Sequence, residues 1–88
     1  MNLYLIDKPS GEHGVELAAR DKAASVVLIQ DGVYMDIGIL HAAGHRIYAL
    51  KRDVEKRGLI SKLPEYITLI DYAMLIDLIV EQKVVNFA

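Results

Sequence analysis

Three aspartates, Asp7, Asp31 and Asp71, each stand directly behind an apolar run, and Asp53 stands four residues before Arg57. A carboxylate at a strand end can move a proton, orient a ligand or cap the helix that follows. Proton transfer needs a paired acid and base or a nucleophile. Capping alone accounts for Asp31 and Asp71, and a helical ion pair accounts for Asp53 with Arg57. His13, His41 and His45 lack a carboxylate or thiolate at a metal-ligand spacing, so neither a metal nor a cofactor is expected. Ser10 has no Gly-x-Ser-x-Gly elbow around it, and Gly11 with Gly14 is too sparse for a phosphate loop. The chain contains no cysteine, which removes disulfides, thiolate metal sites and persulfide carriage together.

The elements that must position these residues follow from the apolar pattern. Asn2 to Asp7 reads as a first strand ending in the breaker cluster Lys8-Pro9-Ser10-Gly11, with Ser10 as N-cap of a helix running to about Lys22. Glu16 and Arg20 form an i,i+4 pair on that helix. Ser25 to Gln30 is a continuous β-branched run without polar alternation, the signature of a strand covered on both faces and therefore central. Asp31-Gly32 breaks it, and Val33 to Ala43 has helical length, closed by Gly44. His45 to Leu50 is the third strand and Arg52 to Arg57 a short helix ended by Gly58. Tyr66 to Ile70 is the fourth strand, Asp71 caps a helix over Tyr72 to Glu81, and Lys83 to Ala88 can add an edge strand.

Alternating strands and helices imply right-handed βαβ units, hence an α/β fold with a mostly parallel sheet of about four or five strands flanked by helices. Residues 1–88 then make one domain, since a chain of 88 residues has little material for two cores. The loops leaving the strand ends gather on one edge, which makes Asp31, Gly32, Tyr34, Asp53, Asp71 and Tyr72 the residues expected to face a partner or ligand. The histidines are expected to face solvent or cap helices. The run from Ala73 to Val80 is apolar nearly all round, wider than one helix-on-sheet stripe, so Met74, Leu75, Leu78 and Ile79 are expected in a subunit interface.

Composition limits what the partner can be. Hydrophobic residues make up 53% of the chain, more apolar surface than so short a chain readily hides, which favours association, including with copies of itself. Charged residues interrupt each apolar run before the roughly 18 residues of a membrane span, so no membrane is expected. The net charge of −2 with no basic block argues against direct nucleic-acid binding. The N-terminal run is short and lacks a basic leader or cleavage site, and a cytoplasmic location is expected.

Val27 to Tyr34, VLIQDGVY, is similar to the L-L-Q/E-D-G-V signature of the DsrH/TusB family of DsrE-like sulfur-relay proteins. Ile47-Tyr48-Ala49-Leu50 with Asp53, then Arg57-Gly58-Leu59, then Ile70-Asp71-Tyr72 and Leu75 to Leu78 resemble that family's further blocks in order and spacing. The likeness covers about residues 23–80; Lys8-Pro9-Ser10 matches a K-S-P turn more loosely. The resemblance implies a DsrE-like fold and assembly with DsrE/DsrF-like (TusC/TusD-like) sister subunits, at least one bearing a reactive cysteine. It further implies a sulfur relay that serves tRNA wobble-uridine 2-thiolation in one branch and dissimilatory sulfur oxidation in another. Some members carry a cysteine in or near the first helix, where this chain has Val15 to Arg20. The chain is therefore expected to be a non-catalytic accessory subunit. The alternative from the residues alone is a homo-oligomeric protein that binds a small ligand at its strand-end acidic edge.

Overall fold

The computed structural model describes residues 1–8 and 10–88. Pro9, within the expected breaker cluster, lies outside the described residues. Five short strands form one sheet: β1 (Asn2–Ile6), β2 (Ala24–Leu28), β3 (Arg46–Leu50), β4 (Ile67–Ile70) and β5 (Lys83–Phe87). Their spatial order is β4-β3-β2-β1-β5, and each neighbouring pair is parallel. The apolar run of β2 thus occupies the centre, buried at each of its positions. The tail does add an edge strand, with Lys83 to Phe87 registered against Asn2 to Ile6.

Helices α1 (Gly11–Arg20), α2 (Gly38–Ala42) and α3 (Lys51–Lys56) follow β1, β2 and β3, and α4 (Tyr72–Glu81) joins β4 to β5. The chain steps in one direction across the sheet from β1 to β4, so right-handed crossovers lay the first three helices on one face. It then returns past β1 to place β5, and the same handedness puts α4 on the opposite face. The side chains divide accordingly. Tyr4, Ile6, Val26, Leu28, Ile47 and Ala49 meet Val15, Ala18, Leu40 and Val54 in the larger core. Leu3, Val27, Leu50 and Ile70 meet Leu75 and Leu78 of α4 in the smaller one.

Two local expectations are corrected. The single helix expected over Val33 to Ala43 does not form: a 3-10 helix covers Gln30–Tyr34, and only Gly38–Ala42 is α-helical. The spacing of Val33, Ile37 and Leu40 is helical and all three are buried, but Met35 is extended and the Asp36 side chain accepts from the Gly38 N–H at 3.0 Å. That Asx turn competes with the helical ladder and restarts it. Ser10, expected to cap α1, has αR backbone angles and no side-chain capping bond; its carbonyl instead accepts from Gly14 N–H at 3.3 Å. Gly44 and Gly58 end α2 and α3 with φ of 82° and 64°, as the sequence predicts.

Candidate functional site

The carboxyl ends of β2, β3 and β4 open onto a cleft of about 510 Å³ whose walls include Gln30, Asp53, Arg57 and Tyr72. Its back wall is built on α3. Asp53, in the first turn, is 8% exposed, and its Oδ2 accepts from the Gln30 backbone N–H at 2.8 Å. That bond pins the end of β2 to α3. Gln30 has φ of 47°, a left-handed conformation that costs a non-glycine residue about 1 kcal/mol, and the Asp53 carboxylate holds it there.

Arg57 ties the same wall to the loop beyond β2. Its Nε donates to Asp31 Oδ1 at 2.9 Å and its Nη1 donates to the Asp53 carbonyl at 3.1 Å. The expected Asp53–Arg57 ion pair is present but long, 3.8 Å, because the guanidinium is turned toward Asp31. The hydrogen bond it donates to Asp31, with the attraction of both carboxylates, holds the guanidinium charged more firmly than an ordinary arginine against the opposing effect of burial. Asp31 caps no helix. Gly32, one residue on, lies so close to β1 that an added Cβ would stand 2.0 Å from the Ile6 carbonyl oxygen, a backbone atom that cannot yield. Only glycine fits.

The remaining strand-end residues divide between this cleft and other places. Tyr72 is exposed at the cleft wall formed by the start of α4. Asp71 caps α4, its Oδ1 accepting from the Met74 N–H at 2.9 Å. Tyr34 lies in a separate shallow cleft with Lys8 and Glu12, the Lys8 ammonium 5.7 Å from its ring centroid. The edge thus brings Asp31 and Asp53 together through Arg57 and sets Tyr72 beside them, while Tyr34 and Asp71 stand apart. The strain at Gln30 and the cross-link between Asp31 and Arg57, 26 positions apart, carry no local sequence signal.

At the opposite end of the sheet, Asp21 accepts from Asn2 Nδ2 at 2.6 Å, from Tyr4 Oη at 3.1 Å and from Ala23 N–H at 3.0 Å. The Asn2 bond, followed by the Ala23 bond, holds this carboxyl below its usual range, and burial pushes the Tyr4 hydroxyl up. His45 places both ring nitrogens on carbonyls, those of Ala24 and Ala19. His41 stacks on Tyr66 with centroids 3.7 Å apart, and His13 meets the edge of Phe87. Among the described residues no group of three or more metal-ligand side chains comes together.

On α4, Leu75 is buried and Leu78 half-buried against the sheet, whereas Met74 and Ile79 are exposed. Ile76 and Val80, 58% and 78% exposed, extend that outer apolar surface. Among the described residues no helix is long and apolar enough to cross a membrane.

The fold and edge can be set beside known proteins. The crystal structure of the ychN protein from E. coli superposes with a TM-score of 0.76 over 98% of this chain and 97% of that one, at 17% identity, a likeness of fold. No match was found among the curated proteins. The family model described as DsrH like protein matches residues 14–85, which takes in the strand-end cleft, α3 and α4 whole. The chain therefore belongs to the DsrH-like protein family.

Proposed function

We propose that the chain is a non-catalytic accessory subunit of a sulfur-relay complex, supporting persulfide transfer toward 2-thiolation of the tRNA wobble uridine. The observation that carries the proposal is a DsrH-like match over residues 14–85 in a chain without cysteine. Membership implies a sulfur-relay subunit, and a sequence with no thiolate can neither accept nor pass sulfane sulfur. Sister subunits of the DsrE/DsrF type, at least one bearing a reactive cysteine, supply that thiol. This chain holds and shields the partner's cysteine loop.

The outer side of α4 suits such a partner. Ile76, Ile79 and Val80 present apolar side chains to solvent along one flank of α4, with Met74 exposed on the other flank, and exposed apolar surface of this kind marks an association site. Affinity purification of the tagged chain from its own cells, with mass spectrometry of the co-eluting chains, tests the reading. Co-elution with cysteine-bearing DsrE-like chains, and loss of wobble thiolation when the gene is deleted, are the expected results. Recovery of a pure homo-oligomer would overturn it, and a sulfur-oxidation defect with intact thiolation would move the subunit to the other branch.

A further inference from the structure

In a doubly wound parallel sheet, a crevice opens where two adjacent strands send their outgoing connections to opposite faces, and ligands bind there. This molecule has one such place among its described strands. The connection from β3 runs through α3 on the three-helix face, and the neighbouring β4 sends its own through α4 on the other. The cleft of about 510 Å³ lies at that junction, between the start of α3 and the start of α4. Its size suits a small molecule.

The charge left uncommitted in the cleft is positive. Asp53 is spent on the Gln30 N–H and on Arg57, Asp31 is spent on Arg57, and Asp71 is spent on its helix. Arg52 and Lys56, one turn apart on α3, both line the cleft, and among the described residues neither has a carboxylate within ion-pairing distance. Opposite them stand Tyr72 and Leu75, with Ile29 at the floor, so one wall is cationic and the other apolar. Gln30, held in its left-handed conformation at the rim, is the kind of maintained strain that marks a functional position. Within the cleft, then, the uncommitted side-chain charge is basic.

We propose that this crevice binds a small tetrahedral oxyanion, a phosphoryl or sulfonyl group, through Arg52 and Lys56, with Tyr72 covering an apolar or aromatic portion of the same ligand. Guanidinium and ammonium groups bind such oxygens by charge-assisted hydrogen bonds, and an open apolar wall leaves room for the rest of the molecule. The site stands independently of the sulfur-relay reading, because it is a property of the isolated chain.

The test is a titration of the whole chain, followed by amide NMR at constant ionic strength in chloride, with inorganic phosphate, sulfate and phenyl phosphate as probes. Saturable shifts centred on Gln30, Arg52, Lys56 and Tyr72 are expected. Arg52→Ser and Lys56→Ser should each weaken binding about 10-fold, the loss of one charge-assisted contact. Lys22→Ser, at the other end of the sheet, should leave binding unchanged. The thermal midpoint of each variant verifies that the exposed substitutions leave the fold intact. Tighter binding of phosphate than sulfate would assign a phosphoryl ligand, and the reverse a sulfonyl one. Shifts that never saturate, or affinities that ignore both substitutions, would overturn the site. Equal affinity for phenyl phosphate and phosphate would overturn the role given to Tyr72.

Discussion

The two faces of the sheet are made from similar strands and end up differently covered. On the three-helix face, Ile6, Val26, Leu28, Ile47 and Ala49 are all buried beneath α1, α2 and α3. On the other face α4 works alone: Leu3, Val27, Leu50 and Ile70 are buried, but Leu5, Ile29 and Tyr48 are only partly so. Strand order explains the asymmetry, since three crossovers run one way across the sheet and one runs back. A face with one helix leaves apolar surface at its margins, and α4 carries apolar residues on its outer side too. The fold stabilises itself mainly through one face and leaves more apolar surface exposed on the other.

Truncations on the two faces should show the largest difference. Leu28→Ala removes a fully buried side chain from the three-helix core and should cost about 2–5 kcal/mol, whereas Leu5→Ala, at a half-buried position under α4, should cost about 1 kcal/mol. Urea denaturation of the two variants checks the ranking. Equal losses would mean that the second face is as tightly packed as the first.

Asp71→Ala attacks the sole helix of the thinner face at its N-cap and should cost about 1 kcal/mol. The damage should be local, with faster amide exchange in the first turn of α4 and unchanged protection in α1. Uniform loss of protection across both faces would mean that α4 unfolds only with the whole sheet.

Much of this contrast was legible in the sequence. The unbroken apolar run of β2 identified the central strand, and the all-round apolar character of Ala73 to Val80 set α4 apart from α1, whose exposed side carries Glu12, Glu16 and Arg20. Asp71 was readable as a cap because capping is decided within one turn. The segment after β2 was not, because Val33, Ile37 and Leu40 keep a helical spacing that the Asx turn at Asp36 interrupts. Nor was the pairing of Asp31 with Arg57, which the sheet assembles from the 3-10 helix after β2 and the end of α3 while the sequence offers Arg57 the nearer Asp53. Local signals gave the strands and the Asp71 cap but misplaced the caps at Ser10 and Asp31; the cleft's charge balance emerged only when side chains found their long-range partners.

A smaller effect should separate the faces in acid. Asp21 supports the three-helix side, where Tyr4 is buried, and its carboxyl is held below the ordinary 3.8 by the Asn2 and Ala23 hydrogen bonds. A carboxyl with a depressed folded pKa contributes stability that is present above its unfolded pKa and is lost as pH falls through the folded value. The native chain should therefore exceed Asp21→Asn in urea midpoint at pH 6, and the gap should begin to narrow as pH falls below about 4. A gap that stays constant as pH falls from 6 through the acid range would show that Asp21 contributes through shape rather than charge.

The smallest effect on stability is expected on the outer side of α4. Ile76 is 58% exposed and belongs to neither core, so Ile76→Lys should change the stability of the free chain by no more than about 0.5 kcal/mol. The same substitution places a charge in the flank formed with Ile79 and Val80, where a partner's apolar side chains would have to desolvate it. Capture of sister subunits from the native extract should accordingly fall sharply while the urea midpoint stays put. Retained capture with an unchanged midpoint would free α4 from the interface and leave the exposed sheet edges as the surface on which to seek it. A large drop in midpoint would instead mean that the outer side of α4 is already covered in the isolated chain, as in a homo-oligomer, and a midpoint that depends on protein concentration would identify that state.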